Sequence, residues 1–97
     1  MGLTGAERRE LEALIKAAAR DPRVPVDLAR KMVPRQGDIE DFAYGLVSGM
    51  VLGNFMVLFE SRNGRQPDRD ETADLLATAA ARMPLLRKSI MKHLEPR

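Results

Sequence analysis

The sequence predicts an all-α protein: a compact bundle of four to five helices packed around a central hydrophobic helix at about residues 39–60. Three observations predict it. Apolar residues recur at spacings of three and four, and no stretch alternates with the period of two that a half-buried strand needs. Proline, glycine and capping residues divide the chain at regular intervals. One run, residues 42–59, carries no charged side chain at all. In a water-soluble protein, a helix apolar on every side must be covered by its neighbours, which predicts this one as the hub.

The first helix starts at Thr4-Gly5-Ala6-Glu7, a capping box in which Thr4 and Glu7 each accept from the other's backbone N–H. Leu11, Leu14, Ile15 and Ala18 then make one narrow apolar stripe. Asp21-Pro22 ends the helix, because a residue before proline is pushed out of the helical region. Pro25 suits the first position of a short second helix, with Val26, Ala29, Met32 and Val33 inward and Pro34 as its stop. Arg35-Gln36-Gly37 reads as a loop. Asp38 caps the third helix, and Glu40 and Asp41 place negative charge at its positive end. Asn63-Gly64 suits a left-handed stop.

Asp68 caps the next helix, with Glu71 three residues on. Leu75, Leu76, Ala79, Ala80 and Met83 form its expected inner face. Pro84 is expected to interrupt it, leaving Leu86, Ile90, Met91 and Leu94 to organise a last helix, with Glu95-Pro96-Arg97 frayed. The string Gly64-Arg65-Gln66-Pro67-Asp68-Arg69-Asp70-Glu71 resembles the GRxPTxxE turn that precedes a helix in bacterial sigma factors. It spans eight residues, has Asp68 where that motif has Thr, and implies a helix stop followed by a capped start.

With 97 residues and no internal repeat, the chain is expected to form a single domain over 1–97. A core of this size is thin, and a partner subunit would enlarge it. The N-terminus lacks the basic and apolar regions of a signal peptide, so the expected location is cytoplasmic. Gly2 is followed by Ala6 rather than the Ser or Thr that acylation prefers there.

Composition narrows the chemistry. Without Cys there is no thiolate nucleophile, thiolate zinc site or iron–sulfur cluster. His93 alone makes no two-histidine metal face. The Walker, GxSxG, HExxH, EF-hand and di-iron ExxH patterns are missing. Most carboxylates fall in first helical turns, where capping accounts for them. Glu60 is the exception, an acid at the negative end of a helix that calls for a cationic partner. Asp70 and Asp74 lie one turn apart, but two carboxylates make a poor hard-cation site. The sequence therefore points away from enzymes, and no cofactor, metal or catalytic residue is expected.

Two features are candidates for function. Gly45, Gly49 and Gly53 recur every fourth residue, so each is turned about 40° from the last and they share a face. Together they cost on the order of 2–3 kcal/mol against alanine. Close approach of another backbone would compensate, with Leu52 and Met56 sealing the groove. Three arrangements would supply it: the alanine-rich helix 69–83 of the same chain, a second copy across a two-fold axis, or other helices in a membrane. The membrane is the least favoured, since 18 uncharged residues reach only about 27 Å against a bilayer core of about 30 Å. Asn54, in the same helix, is expected to be buried and to need a hydrogen-bond partner. Replacing Gly49 with Leu should then unfold the bundle or split the oligomer.

The second feature is charge. The net charge of +2 is small, but residues 1–37 and 76–97 are basic and residues 38–60 acidic. Arg82, Arg87, Lys88 and Lys92 crowd the end of the chain and could neutralise phosphates, though no base-reading amide or stacking aromatic accompanies them. Exchanging Arg87 and Lys88 for Glu is expected to leave folding nearly intact. The functional expectation is a non-enzymatic helical protein acting through self-association and partner binding, a homodimer. A small nucleic-acid-associated protein using the basic termini is the alternative.

Overall fold

Side chains that occupy the unpaired N–H groups of a first turn decide where three of the helices begin. A computed structural model describes residues 2–35 and 37–95, and contains α1 (Gly5–Arg20), α2 (Arg23–Met32), α3 (Ile39–Asn63) and α4 (Arg69–Leu94). No strand occurs among the described residues. The expected loop residue Gln36, and the fraying of Pro96 and Arg97, lie outside them.

At α1 the Glu7 N–H donates to the Thr4 hydroxyl over 3.1 Å, and the Thr4 N–H donates to the Glu7 carboxylate over 2.9 Å. At α4 the same reciprocal pair joins Asp68 and Glu71 at 2.8 and 2.9 Å. Asp38 accepts from the N–H groups of Glu40 and Asp41 at the start of α3. At the other end of α3, Gly64 adopts a left-handed φ of 69° and its N–H closes on the Glu60 carbonyl at 2.7 Å. A side chain there would crowd the following carbonyl, so glycine is needed. Pro25 lies third in α2 rather than first, still among the positions whose N–H has no helical partner.

The interruption expected at Pro84 does not occur. α4 runs through it as one helix of 26 residues, so the described residues form four helices. Proline has no N–H for the Ala80 carbonyl, a break that costs roughly 3 kcal/mol in an isolated helix. Here Met83, Leu86 and Ile90 are buried on both sides of the proline, and that packing holds the two halves in line.

The core draws on every helix: Leu11 and Ile15 of α1, Val26 and Ala29 of α2, five residues of α3, and Leu75, Ala79, Met83, Leu86 and Ile90 of α4. Polar contacts give the directions. Arg82 meets Glu12, and the Ser89 hydroxyl donates to the Ala19 carbonyl, so α1 and α4 run parallel. Arg62 meets Glu10 and Arg87 meets Glu40, so α3 runs against both. Leu3 is also buried, with its N–H on Asp74 at 2.9 Å.

Three inner-face expectations are corrected. Met32, Leu76 and Ala80 face outward. Leu76 and Ala80 each follow a buried neighbour, Leu75 and Ala79, that fills the same stretch of core. As expected of the central helix, α3 touches all three other helices, and it does so through one face. Only 28% of its most apolar 18-residue window is buried.

Candidate interaction face

Helical rows of every fourth residue describe α3 best. Ala43, Val47, Val51, Phe55 and Phe59 form the buried row. The two phenyl rings lie 6.2 Å apart at a tilt of 41°, and they are the largest of the fully buried side chains. The row Tyr44, Ser48, Leu52, Met56 flanks it on the α4 side and is half-buried. There the Ser48 hydroxyl approaches the Met83 sulfur at 3.7 Å. The opposite flank runs from half-buried Phe42 and Leu46 to exposed Met50, Asn54 and Leu58.

The remaining row points directly away from the core: Asp41, Gly45, Gly49, Gly53, Val57 and Ser61, all exposed. A Cβ built on any of these three glycines meets nothing within 4 Å. The expected contact with the alanine-rich helix of the same chain is therefore absent. The bulky residues explain why. Phe55 and Phe59 need the interior, and they stand on the row opposite the glycines, so burying them turns the glycines outward. Leu52 and Met56 pack against the core instead of sealing a glycine groove.

The outer face is apolar and uneven. Val57 is 67% exposed and Met50 44%. Between Asp41, Phe42, Gly45 and Leu46 lies an open depression of about 380 Å³, where Gly45 has no side chain to fill the surface. Asn54 is exposed, which corrects its expected burial; it borders a shallow groove with Leu14, Ala18, Pro25 and Met50. By length and composition alone, α3 could cross a membrane.

The four basic residues near the C-terminus do not form a free cationic row. Arg82 donates to Glu12 at 2.6 Å. Arg87 donates to Asp41 at 2.6 Å and to Glu40 at 2.8 Å, and its guanidinium lies 4.8 Å from the centre of the Tyr44 ring. Asp41 first, then Glu40, raise the Arg87 pKa further above its usual value. Lys88 and Lys92 are exposed. A cavity of about 520 Å³, open to solvent, lies beside this contact between Tyr44, Met83, Pro84, Arg87 and Met91. Sequence reasoning missed it, because it depends on α4 continuing through Pro84 alongside Tyr44.

The carboxylates considered for chemistry hold structure. Glu71 is buried and receives both ends of the Arg65 guanidinium, at 2.6 and 3.1 Å. Arg65, followed by the Asp68 N–H, holds its pKa down to about 2. Arg65 also lies over the Phe59 ring at 5.4 Å. Glu7 accepts from the Asn63 amide and Glu10 from Arg62, tying the start of α1 to the end of α3. Glu60 accepts from Gln66 at 2.7 Å, an amide rather than the expected cation. Asp74 accepts from the Leu3 N–H and from Arg8. Among the described residues, no three His, Asp or Glu side chains converge as metal ligands would. Known protein families, characterised proteins and solved structures contain no match to this chain.

Proposed function

We propose that this chain is a non-enzymatic helical protein that works by self-association and partner binding, forming a symmetric homodimer through the outer face of α3. One observation carries the reading: three glycines in a helix interior, with no charge from residue 42 to 59, face open space instead of the chain's own core. Their helix-propensity cost of about 2–3 kcal/mol has no compensation within the chain. A contiguous apolar strip in water is also unfavourable and marks an interaction surface. A second helix laid on the glycines would relieve both, because its backbone can come close enough for extensive contact. A two-fold axis makes such a surface complementary to itself. The ion-paired and capping roles of Glu7, Glu71, Asp38, Asp68 and Asp74 support a non-catalytic protein.

Sedimentation equilibrium in detergent-free buffer tests the proposal. The expected result at micromolar concentration is twice the chain mass of 10.8 kDa. A strict monomer refutes it, and so does a protein extracted only by detergent, which would put the apolar face in lipid. Nucleic-acid binding is the weaker reading, since Arg82 and Arg87 already serve Glu12, Glu40 and Asp41. A mobility shift at low salt that disappears at moderate salt would favour it.

A further inference from the structure

We infer that the outer side of α2 docks on an anionic lipid surface, with its apolar row in the headgroup region and the surrounding cations on the headgroups. This face is separate from the outer row of α3, and the inference does not rest on self-association. α2 packs on α3 and α4, and Val26 and Ala29 fill its buried side. On the other side Val24, Leu28 and Met32 recur every fourth residue and are 69%, 43% and 54% exposed. α2 therefore has two apolar sides, and the chain covers only one of them.

Charge selects what covers the other side. Lys31 projects within about 20° of Val24 around the helix. Arg20 closes α1 just before α2, and Arg35 follows the end of α2. Lys92 of α4 lines a small hollow together with Pro22, the residue that precedes α2. Among the described residues, the side chains of these four cations make no hydrogen bond or ion pair. The neighbouring acids are already engaged: Asp21 with Arg23, Asp27 with Arg30, and Asp38 with the first turn of α3. Glu40 and Asp41 hold Arg87. At this end Glu95 alone has a carboxylate without a partner among the described residues. An anionic bilayer surface suits both features, since apolar side chains gain by entering the interface and each Lys or Arg beside it adds attraction. A nucleic acid would take the cations and leave the row in water. A second copy on this face would bring two surfaces of like charge together.

Vesicle co-sedimentation of the whole chain tests this, with phosphatidylcholine alone and with phosphatidylcholine containing about one-third phosphatidylserine. Binding is expected only to the anionic vesicles, and should fall as salt rises. Lys31→Glu should weaken it at least about tenfold. Arg69→Glu makes the same charge change at the exposed far end of α4 and should have little effect. The chain has no Trp, so Leu28→Trp supplies a sole indole on the apolar row. Its emission should shift to the blue with anionic vesicles and not with duplex DNA. Circular dichroism verifies that each variant keeps the helicity of the parent. No binding to anionic vesicles at low salt overturns the inference, and retardation of duplex DNA in its place would assign the cations to nucleic acid. Equal losses from Lys31→Glu and Arg69→Glu overturn it as well, as does binding without an indole shift, which leaves the row in water. A blue shift that grows with protein concentration in the absence of vesicles would assign the face to a second copy. Retention that resists high salt and yields only to detergent would put α3 in the bilayer. Either of these last results overturns docking through α2.

Discussion

Leucine at position 49 separates the stability of the fold from the stability of the dimer. A Cβ at Gly49 meets nothing within 4 Å, so the larger side chain has room in the isolated chain. Exchanging a helix-interior glycine for a good helix former gains about 0.8 kcal/mol. For a domain of this size that raises Tm by roughly 3–6 °C. Unfolding of the bundle, one of the two outcomes the sequence suggested, is therefore no longer expected. The dimer should respond in the opposite direction, because two leucines at the crossing hold the backbones apart. The assay is thermal unfolding followed by circular dichroism over a wide range of protein concentration, together with mass by light scattering. A dimer that unfolds to monomers shows a Tm that rises with concentration. Gly49→Leu should show monomer mass and a Tm that does not change with concentration, above that of the parent at high dilution. Gly49→Leu with the parent's mass and concentration dependence would refute the seam, and unfolding of the monomeric variant would refute the open space around Gly49.

Three other perturbations test the scaffold. Gly64→Ala forces a Cβ into the left-handed conformation that ends α3, and should cost about 1 kcal/mol in a urea titration. Because Arg65 and the Asp68 N–H hold the Glu71 carboxyl down to about 2 from its usual 4.5, Glu71 contributes its full stability above pH 4.5. That contribution is lost as the pH falls toward 2, and Glu71→Gln should flatten this part of an acid-unfolding profile. Arg87→Glu should lower the urea midpoint, since it sets an anion against Glu40 and Asp41 and removes the contact with Tyr44. Lys88→Glu on the neighbouring exposed position should leave the midpoint nearly unchanged. Equal effects would mean that the Arg87 contacts hold nothing together.

Local rules determined the helices. Thr4, Asp38 and Asp68 sit where unpaired N–H groups need acceptors, and Gly64 sits where only glycine is comfortable, so these boundaries follow from short-range chemistry legible in the chain. The all-α class followed from the apolar period, the punctuation of the chain and the uncharged run at 42–59. What local rules cannot supply is which side of an uncharged helix turns inward. In α3 every row is apolar or small, so periodicity gives no preference, and the choice falls to the volume that the other helices leave open. Phe55 and Phe59 fill that volume, and the glycines on the opposite row are exposed as a consequence. Pro84 shows the same division: its missing N–H predicts a break, and burial of Met83, Leu86 and Ile90 across it overrides the prediction. The partners of Arg82 and Arg87 were likewise beyond reach of the sequence, because Glu12, Glu40 and Asp41 come near only when α1 and α3 pack against α4. Capping and hydrogen bonding within a turn act over a few residues and can be read in order, whereas burial depends on the whole packed volume, which only the tertiary structure defines.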